Sequence, residues 1–271
     1  MIEAILAFFF GLLAGSFLNV CIHRWPRGRS VVKPRSHCVR CRKTIAWYDN
    51  IPLVSYAVLR GRCRHCGKRI SARYPLVELV TGLLFFCFVF RLGPTPAAIK
   101  MCIFSAILVG LIFCDLEKRI LPDELTVGGA IAGLVFALFV PVPDITAHAL
   151  LWSVKLGDTV GSLAESVCGA LLPALVLWGG GWVYYKVRHR EGLGFGDVKL
   201  VAMVGSFLGM RGALLTLILG SICGSVLGYG YIKATGKDAA TYELPFGTFL
   251  GAAALAAAIA GPRILGWYGG L

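Results

Sequence analysis

Eight apolar stretches, most of them long enough to cross a bilayer as a helix, leave this 271-residue chain few folds to choose from. A helical span needs about 17 to 25 apolar residues. The stretches cover residues 3–22, 75–93, 97–114, 124–143, 165–185, 198–210, 212–232 and 246–262, the sixth being short. In hydrocarbon every backbone polar group must be paired within its own segment or around a closed barrel, so apolar runs of this length fold as helices. Charged residues are only 15% of the chain against 57% hydrophobic ones, a balance that excludes a soluble globular domain. The expected architecture is an all-α polytopic membrane protein with about eight transmembrane helices.

The first stretch has its basic residues after the apolar run, opposite to a cleavable signal peptide, and reads as a retained anchor. Lys and Arg number 14 in residues 23–74, 2 in 115–123, 4 in 186–199 and 2 in 233–245. The alternate connections hold five, Arg91, Lys100, Lys155, Arg211 and Arg263. The positive-inside rule therefore places the basic loops in the cytoplasm and both termini outside. The net charge of +13 is concentrated in residues 23–74, where Asp49 is the one acid. Beside a membrane, such a loop has the anionic cytoplasmic leaflet as its partner, at about 1 kcal/mol per basic residue, in preference to nucleic acid.

Three parts are expected: a first transmembrane helix over 1–22, a cytoplasmic cysteine-rich basic module over 23–74, and a membrane-embedded bundle over 75–271. Pro26, Pro34, Pro52, Gly61 and Gly67 punctuate the module, which has no long helical period. Within residues 144–164, the segment from Leu150 to Leu156 fits the outer interface. No repeat with a period of 20 to 50 residues is visible. Glycines four apart recur in five stretches, at Gly11/Gly15, Gly129/Gly133, Gly205/Gly209, Gly220/Gly224/Gly228 and Gly247/Gly251, and Gly179-Gly180-Gly181 adds a looser case. Small residues at this spacing predict close helix packing.

Cys38-x-x-Cys41 and Cys63-x-x-Cys66 present four thiolates at the spacing of a tetrahedral zinc site. A reducing cytoplasm disfavours disulfides, and a module this small and polar needs a staple, so the expectation is a structural Zn²⁺. His37 and His65 flank the cysteines as surface residues. Cys21, Cys87, Cys102, Cys114, Cys168 and Cys223 lie in apolar stretches and behave as small hydrophobes.

Two acids stand out at the edges of apolar runs. Asp115 ends the third, in Cys114-Asp115-Leu116-Glu117-Lys118-Arg119, and Asp197 follows Gly194-Phe195-Gly196. A carboxylate at the centre of a membrane helix costs roughly 2.5 to 3.5 kcal/mol on insertion scales, so acids kept near such segments point to function. Gly194 and Gly196 permit a bent or unwound backbone that lets water reach Asp197. Brought together, two carboxylates cannot both ionise; one keeps its proton while the other acts as a general base on water. Asp123, after Pro122, fits a helix N-cap, and Glu117, Lys118 and Arg119 fit a solvated face.

With these motifs the chain resembles the type IV prepilin peptidases, bifunctional leader peptidases and N-methyltransferases of type IV pilus and type II secretion systems. The likeness is carried by Gly15-Ser16-Phe17-Leu18-Asn19-Val20 through Arg24 and Pro26, by the paired C-x-x-C turns, and by Ile70-Ser71-Ala72-Arg73-Tyr74-Pro75-Leu76-Val77-Glu78. Asp115 through Leu121-Pro122-Asp123 and Gly194-Phe195-Gly196-Asp197-Val198-Lys199-Leu200 complete it. Val39 stands where that family often has proline. The resemblance implies catalytic aspartates at Asp115 and Asp197, with Gly194 and Gly196 as supporting backbone, in the Gly-x-Gly-Asp arrangement of intramembrane aspartic proteases. It further implies a prepilin or pseudopilin substrate, a bacterial inner-membrane location, and S-adenosyl-L-methionine as methyl donor. No Gly-rich nucleotide fingerprint follows a strand, so the cofactor-binding residues stay unassigned; Arg73 and Glu78 are polar candidates near the module. The same carboxylates would also serve a proton- or metal-coupled transporter, though no inverted repeat supports one, and a zinc-stapled scaffold without catalysis is a third reading.

Overall fold

The computed structural model describes residues 1–142, 157–189, 193–236 and 245–269. Eight α-helices are described: α1 Ile2–Arg24, α2 Val54–Val58, α3 Arg73–Leu92, α4 Pro96–Lys118, α5 Asp123–Ala137, α6 Asp158–Arg188, α7 Phe195–Thr235 and α8 Phe246–Gly269. Among the described residues there are two isolated β-bridges and no strands. Five helices, α1, α3, α4, α6 and α7, are long and apolar enough to cross a membrane. The chain is thus a multi-pass membrane protein.

The eight apolar stretches all fall on helices, with two differences from expectation. The stretches 198–210 and 212–232 lie in one helix, α7, broken at Gly209 (φ 70°, ψ −175°). The stretch 124–143 gives α5, which ends at Ala137 and is shorter than a full span. The interfacial segment expected from Leu150 to Leu156 lies outside the described residues.

Two compact units, Met1–Gly110 and Leu111–Leu271, divide the chain inside α4. In the first, α1 packs on α3 along the glycine row. A Cβ added at Gly11 would come within 2.7 Å of the Gly82 Cα, and one at Gly15 within 2.7 Å of the Glu78 Cα. The outward faces of these helices stay apolar, with Phe9, Phe10, Leu13, Phe17, Leu83 and Phe90 exposed, as lipid-facing surfaces require. In the second unit, Gly205 of α7 meets the Gly169 backbone of α6, and Gly133 of α5 meets Ser206. Gly179 and Gly180 have open space where a side chain would go, so that cluster does not pack as expected.

Polar groups inside the second unit are paired locally. Ser162 Oγ donates to the Ala137 carbonyl (2.8 Å) and accepts from Val142 N–H (2.9 Å), while Ser166 Oγ donates to the Ser206 carbonyl (2.8 Å). At the break in α7, Met210 N–H donates to the buried Glu165 carboxylate (3.0 Å), which caps the distal half of the helix.

Candidate active site

The four cysteines are positioned by two turns of the same design. Cys38 N–H donates to the Lys43 carbonyl and Arg42 N–H to the Cys38 carbonyl; Cys63 N–H donates to Lys68 and Gly67 N–H to Cys63 in the same way. Each turn needs a left-handed residue one past its second cysteine, supplied by Arg42 (φ 58°) and Gly67 (φ 66°). A bridge closes each, His37 with Thr44 and Arg62 with Arg69. The module is therefore a short structural duplication, carried in the sequence by the shared frame Cys-x-x-Cys-x-Lys-x-Ile of residues 38–45 and 63–70.

All four Sγ atoms lie within 4.8 Å of one another, and Cys38 Sγ is 3.9 Å from Cys66 Sγ. Tetrahedral thiolates at the usual 2.3 Å from zinc would be about 3.8 Å apart, so this donor set fits such an ion. Without metal, backbone hydrogen bonds from Cys66 and His65 bring the Cys63 thiol down to about 7. Cys66 is pushed up to about 11: a backbone hydrogen bond with Lys68 opposes the shift, but burial and the hydrogen bonds with Cys63, Cys41 and Cys38 outweigh it. Arg64 chelates Asp49 with two hydrogen bonds (2.8 and 2.7 Å), holding that carboxyl below its ordinary range.

Arg73, at the start of α3, stands over the Tyr74 ring, 4.6 Å from its centroid. Glu78 is an anchor for the module: its Oε2 accepts from the N–H of Leu53 (2.9 Å), a residue held at φ 60°. Asn19 Nδ2 donates to the Tyr74 carbonyl (3.0 Å), a second tie between α1 and the start of α3.

The aspartates meet in the second unit. Asp115 lies near the end of α4, which stops when Arg119 takes a left-handed conformation (φ 53°) and its N–H donates to the Asp115 carbonyl (2.8 Å). Asp197 is the third residue of α7, whose N-cap is Gly194, and a backbone hydrogen bond from Gly194 reaches back to its carboxylate. This is one half of a capping box, the N3 side chain reaching back to the N-cap N–H; glycine at the N-cap has no side chain to complete the other half, and Asp197 N–H bonds the Gly194 carbonyl instead. Of the bent or unwound backbone expected here, Gly194 supplies a non-helical N-cap, while Gly196 is already helical. Gly194 is extended (φ −71°, ψ 135°), and Gly196 matters for close approach, a Cβ there falling 3.2 Å from the Leu121 side chain.

A third element completes the site. A Cβ at Gly247, in the first turn of α8, would lie 3.2 Å from Asp115 Oδ2 and 3.2 Å from Asp197 Oδ1, so the two oxygens are within twice that distance. Next to it, Thr248 N–H (2.7 Å) and Thr248 Oγ1 (2.8 Å) both donate to Asp115 Oδ2. The first N–H groups of a helix have no partner inside it, which makes this turn a ready carboxylate cradle. Sequence reasoning took Gly247 as a packing residue and passed over Thr248; the available signal was Pro245-Phe246-Gly247-Thr248 opening an apolar stretch. Asp123 is also corrected: Pro122 is the N-cap of α5, and Asp123 instead pairs with Lys199 Nζ (2.6 Å), fastening α5 to α7 beside the site. Asp115 is buried (5% exposed) and Asp197 half-buried.

Comparison with known proteins follows the same division of the chain. The Bacterial Peptidase A24 N-terminal domain matches residues 9–92, and the Type IV leader peptidase family matches residues 102–229. The prepilin leader peptidase/N-methyltransferase of Aeromonas hydrophila is 37% identical over 97% of this chain and 92% of its own length. The chain belongs to the type IV leader peptidase family. Among its relatives, the protein of the same name from Pseudomonas putida is 34% identical over 96% of this chain and 91% of its own length. That of Myxococcus xanthus is 44% identical over 86% of this chain, which spans 64% of the Myxococcus protein. No solved structure gives a significant match. In this leader peptidase family member, Asp115, Asp197 and Gly247 with Thr248 come from three helices of the second unit, and the four-thiolate cluster belongs to the first.

Proposed function

We propose that the chain is an aspartic endopeptidase that removes the leader of type IV prepilins or pseudopilins at the cytoplasmic face of the inner membrane, with Asp115 and Asp197 as its dyad. The observation that carries this reading is the convergence of both carboxylates on the side-chain-free position of Gly247. One aspartate, ionised, takes a proton from water as the water oxygen bonds to the scissile carbonyl carbon; the other, protonated, gives its proton to the carbonyl oxygen. On collapse, the carbon–nitrogen bond breaks, the first aspartate protonates the leaving amine, and a proton of the diol returns to the second. The burial of Asp115 and the partial burial of Asp197 suit a site that limits water around the pair. A transporter relay would favour acids at mid-span, whereas these lie at helix ends.

The four cysteines hold a structural zinc in this reading, and the basic loop rests on the anionic leaflet. The relatives' name includes N-methylation, and S-adenosyl-L-methionine is the methyl donor this implies. A cavity of about 430 Å³ along α1 has the size for such a cofactor. Its lining, which includes Arg24, Arg35, Trp47 and Asn50, offers no carboxylate to face a sulfonium cation. Arg24 is already committed to the carbonyls of Ser30, Val31 and Pro34. That lining does not suit S-adenosyl-L-methionine, and the methyl donor is assigned no site. The deciding experiment is cleavage of a prepilin by purified wild type, Asp115→Asn and Asp197→Asn; robust cleavage by both variants would overturn the proposal.

A further inference from the structure

We propose that Thr248 is a positioning residue that divides labour within the dyad, holding the negative charge on Asp115 and leaving the shared proton on Asp197. This rests on the peptidase reading above and adds an assignment to it.

One of the two Thr248 donors cannot be reversed. A backbone N–H can only donate, so Asp115 Oδ2, 2.7 Å from Thr248 N, is an acceptor in every protonation state. The Thr248 hydroxyl directs a second bond at the same oxygen (2.8 Å). Two donors on one carboxylate oxygen are charge-assisted hydrogen bonds when that carboxylate is ionised, and these are about twice as strong as neutral ones. Among the described residues, Asp197 receives one backbone hydrogen bond, from Gly194. The surplus of donors therefore lies on Asp115.

The charged groups around the pair lean the same way. Arg119, just past the end of α4, acts on Asp115 as a favourable charge, and with the Thr248 bonds it works against the burial that disfavours charge there. From α7 the facing acid is Asp197 itself, and Lys199 is engaged with Asp123 of α5. The described part of α8 brings no ionisable side chain to its first turn, only the hydroxyl and amides of Thr248 and its neighbours. With one proton between the two carboxylates, placing it on Asp115 would weaken both Thr248 bonds and leave the anion on the aspartate with fewer donors.

The division has a chemical consequence. Asp115 becomes the base that receives the proton of water, and Asp197 presents its proton to the peptide carbonyl. Thr248 touches neither water nor peptide in this scheme and acts through Asp115.

The test uses the full-length protein in lipid nanodiscs with a synthetic prepilin peptide. Thr248→Val keeps the N–H and the shape but removes the hydroxyl; kcat is expected to fall about tenfold with KM within twofold. The acid limb of the pH–rate profile should move about one unit toward neutral, since an ionised Asp115 is then less well supported. Thr248→Ser should restore both the rate and the profile. An unshifted profile in Thr248→Val would overturn the inference, whatever its rate. A second measurement does not depend on that variant folding well. The protonated-carboxyl infrared band of the resting protein should lose a component in Asp197→Asn and keep it in Asp115→Asn; the reverse would also overturn it. If both asparagine variants cleave normally, the peptidase reading fails instead, so the two failures are distinguishable.

Discussion

The cysteine module and the aspartate site solve the same problem, bringing four polar ligands or two acids to one point, by opposite means. In the module each ligand pair comes from one tight turn, and two copies of that turn make the cluster. In the aspartate site no two of the key groups share an element: Asp115 ends α4, Asp197 begins α7, and Gly247 with Thr248 begins α8. The first arrangement needs only local hydrogen bonds and an ion. The second depends on helix register across the bundle. Local chemistry should therefore fail separately in the two regions.

The largest effect should come from the dyad. Asp115→Asn and Asp197→Asn should each lower prepilin cleavage at least about a thousandfold, as loss of one member of a unit does. Elemental analysis of the same preparations should still find one zinc per chain. Serine at any of Cys38, Cys41, Cys63 or Cys66 should do the reverse. Structural zinc contributes about 10 to 16 kcal/mol in small zinc-finger peptides, so its loss should expose the basic segment around residues 60–73 to trypsin while far-ultraviolet dichroism barely changes.

A pH experiment sharpens the comparison within the module. In the metal-stripped protein, the Cys63 thiol at about 7 is a thiolate under mildly alkaline conditions, whereas Cys66 at about 11 is not. Alkylation at pH 8, read by mass spectrometry, should therefore mark Cys63 first. The Cys63 contribution to apo-module stability is present above about 9, the ordinary thiol value, and disappears as pH falls through about 7.

Packing changes come next. Gly15→Leu forces α1 and α3 apart and should cost about 1 to 3 kcal/mol, the usual range for overpacking. Gly128→Ala, into open space, should be neutral or slightly stabilising in the same thermal unfolding assay. The smallest effect belongs to Asp49→Asn, which removes an ion pair whose Arg64 end is solvent-exposed. Its slight loss of melting temperature should vanish as pH falls through the depressed Asp49 value, because the folded-state preference for the ionised carboxyl disappears there.

The contrast also explains what could be read from the chain. Cysteine spacing is informative because geometry within three residues fixes where two ligands go. Asp115 and Asp197 were legible because acids are rare at the ends of apolar runs. Thr248 was not: a threonine at a helix start is ordinary, and its partner is 133 residues away. Asp123 satisfied every local rule for an N-cap, yet Lys199, 76 residues distant, claims its carboxylate. The glycines before Asp197 suggested a bent or unwound backbone; Gly194 supplies the extended N-cap, while at Gly196 the site uses the lack of bulk against Leu121.

The break at Gly209 has a mechanical meaning. Because Met210 N–H is bonded to Glu165 on α6, the hydrogen-bond ladder of α7 is cut there, and the helix is two rods on a joint. The rod bearing Asp197 therefore keeps its own hydrogen-bond ladder, closed at Gly209 against α6, and its register is set without reference to the distal rod.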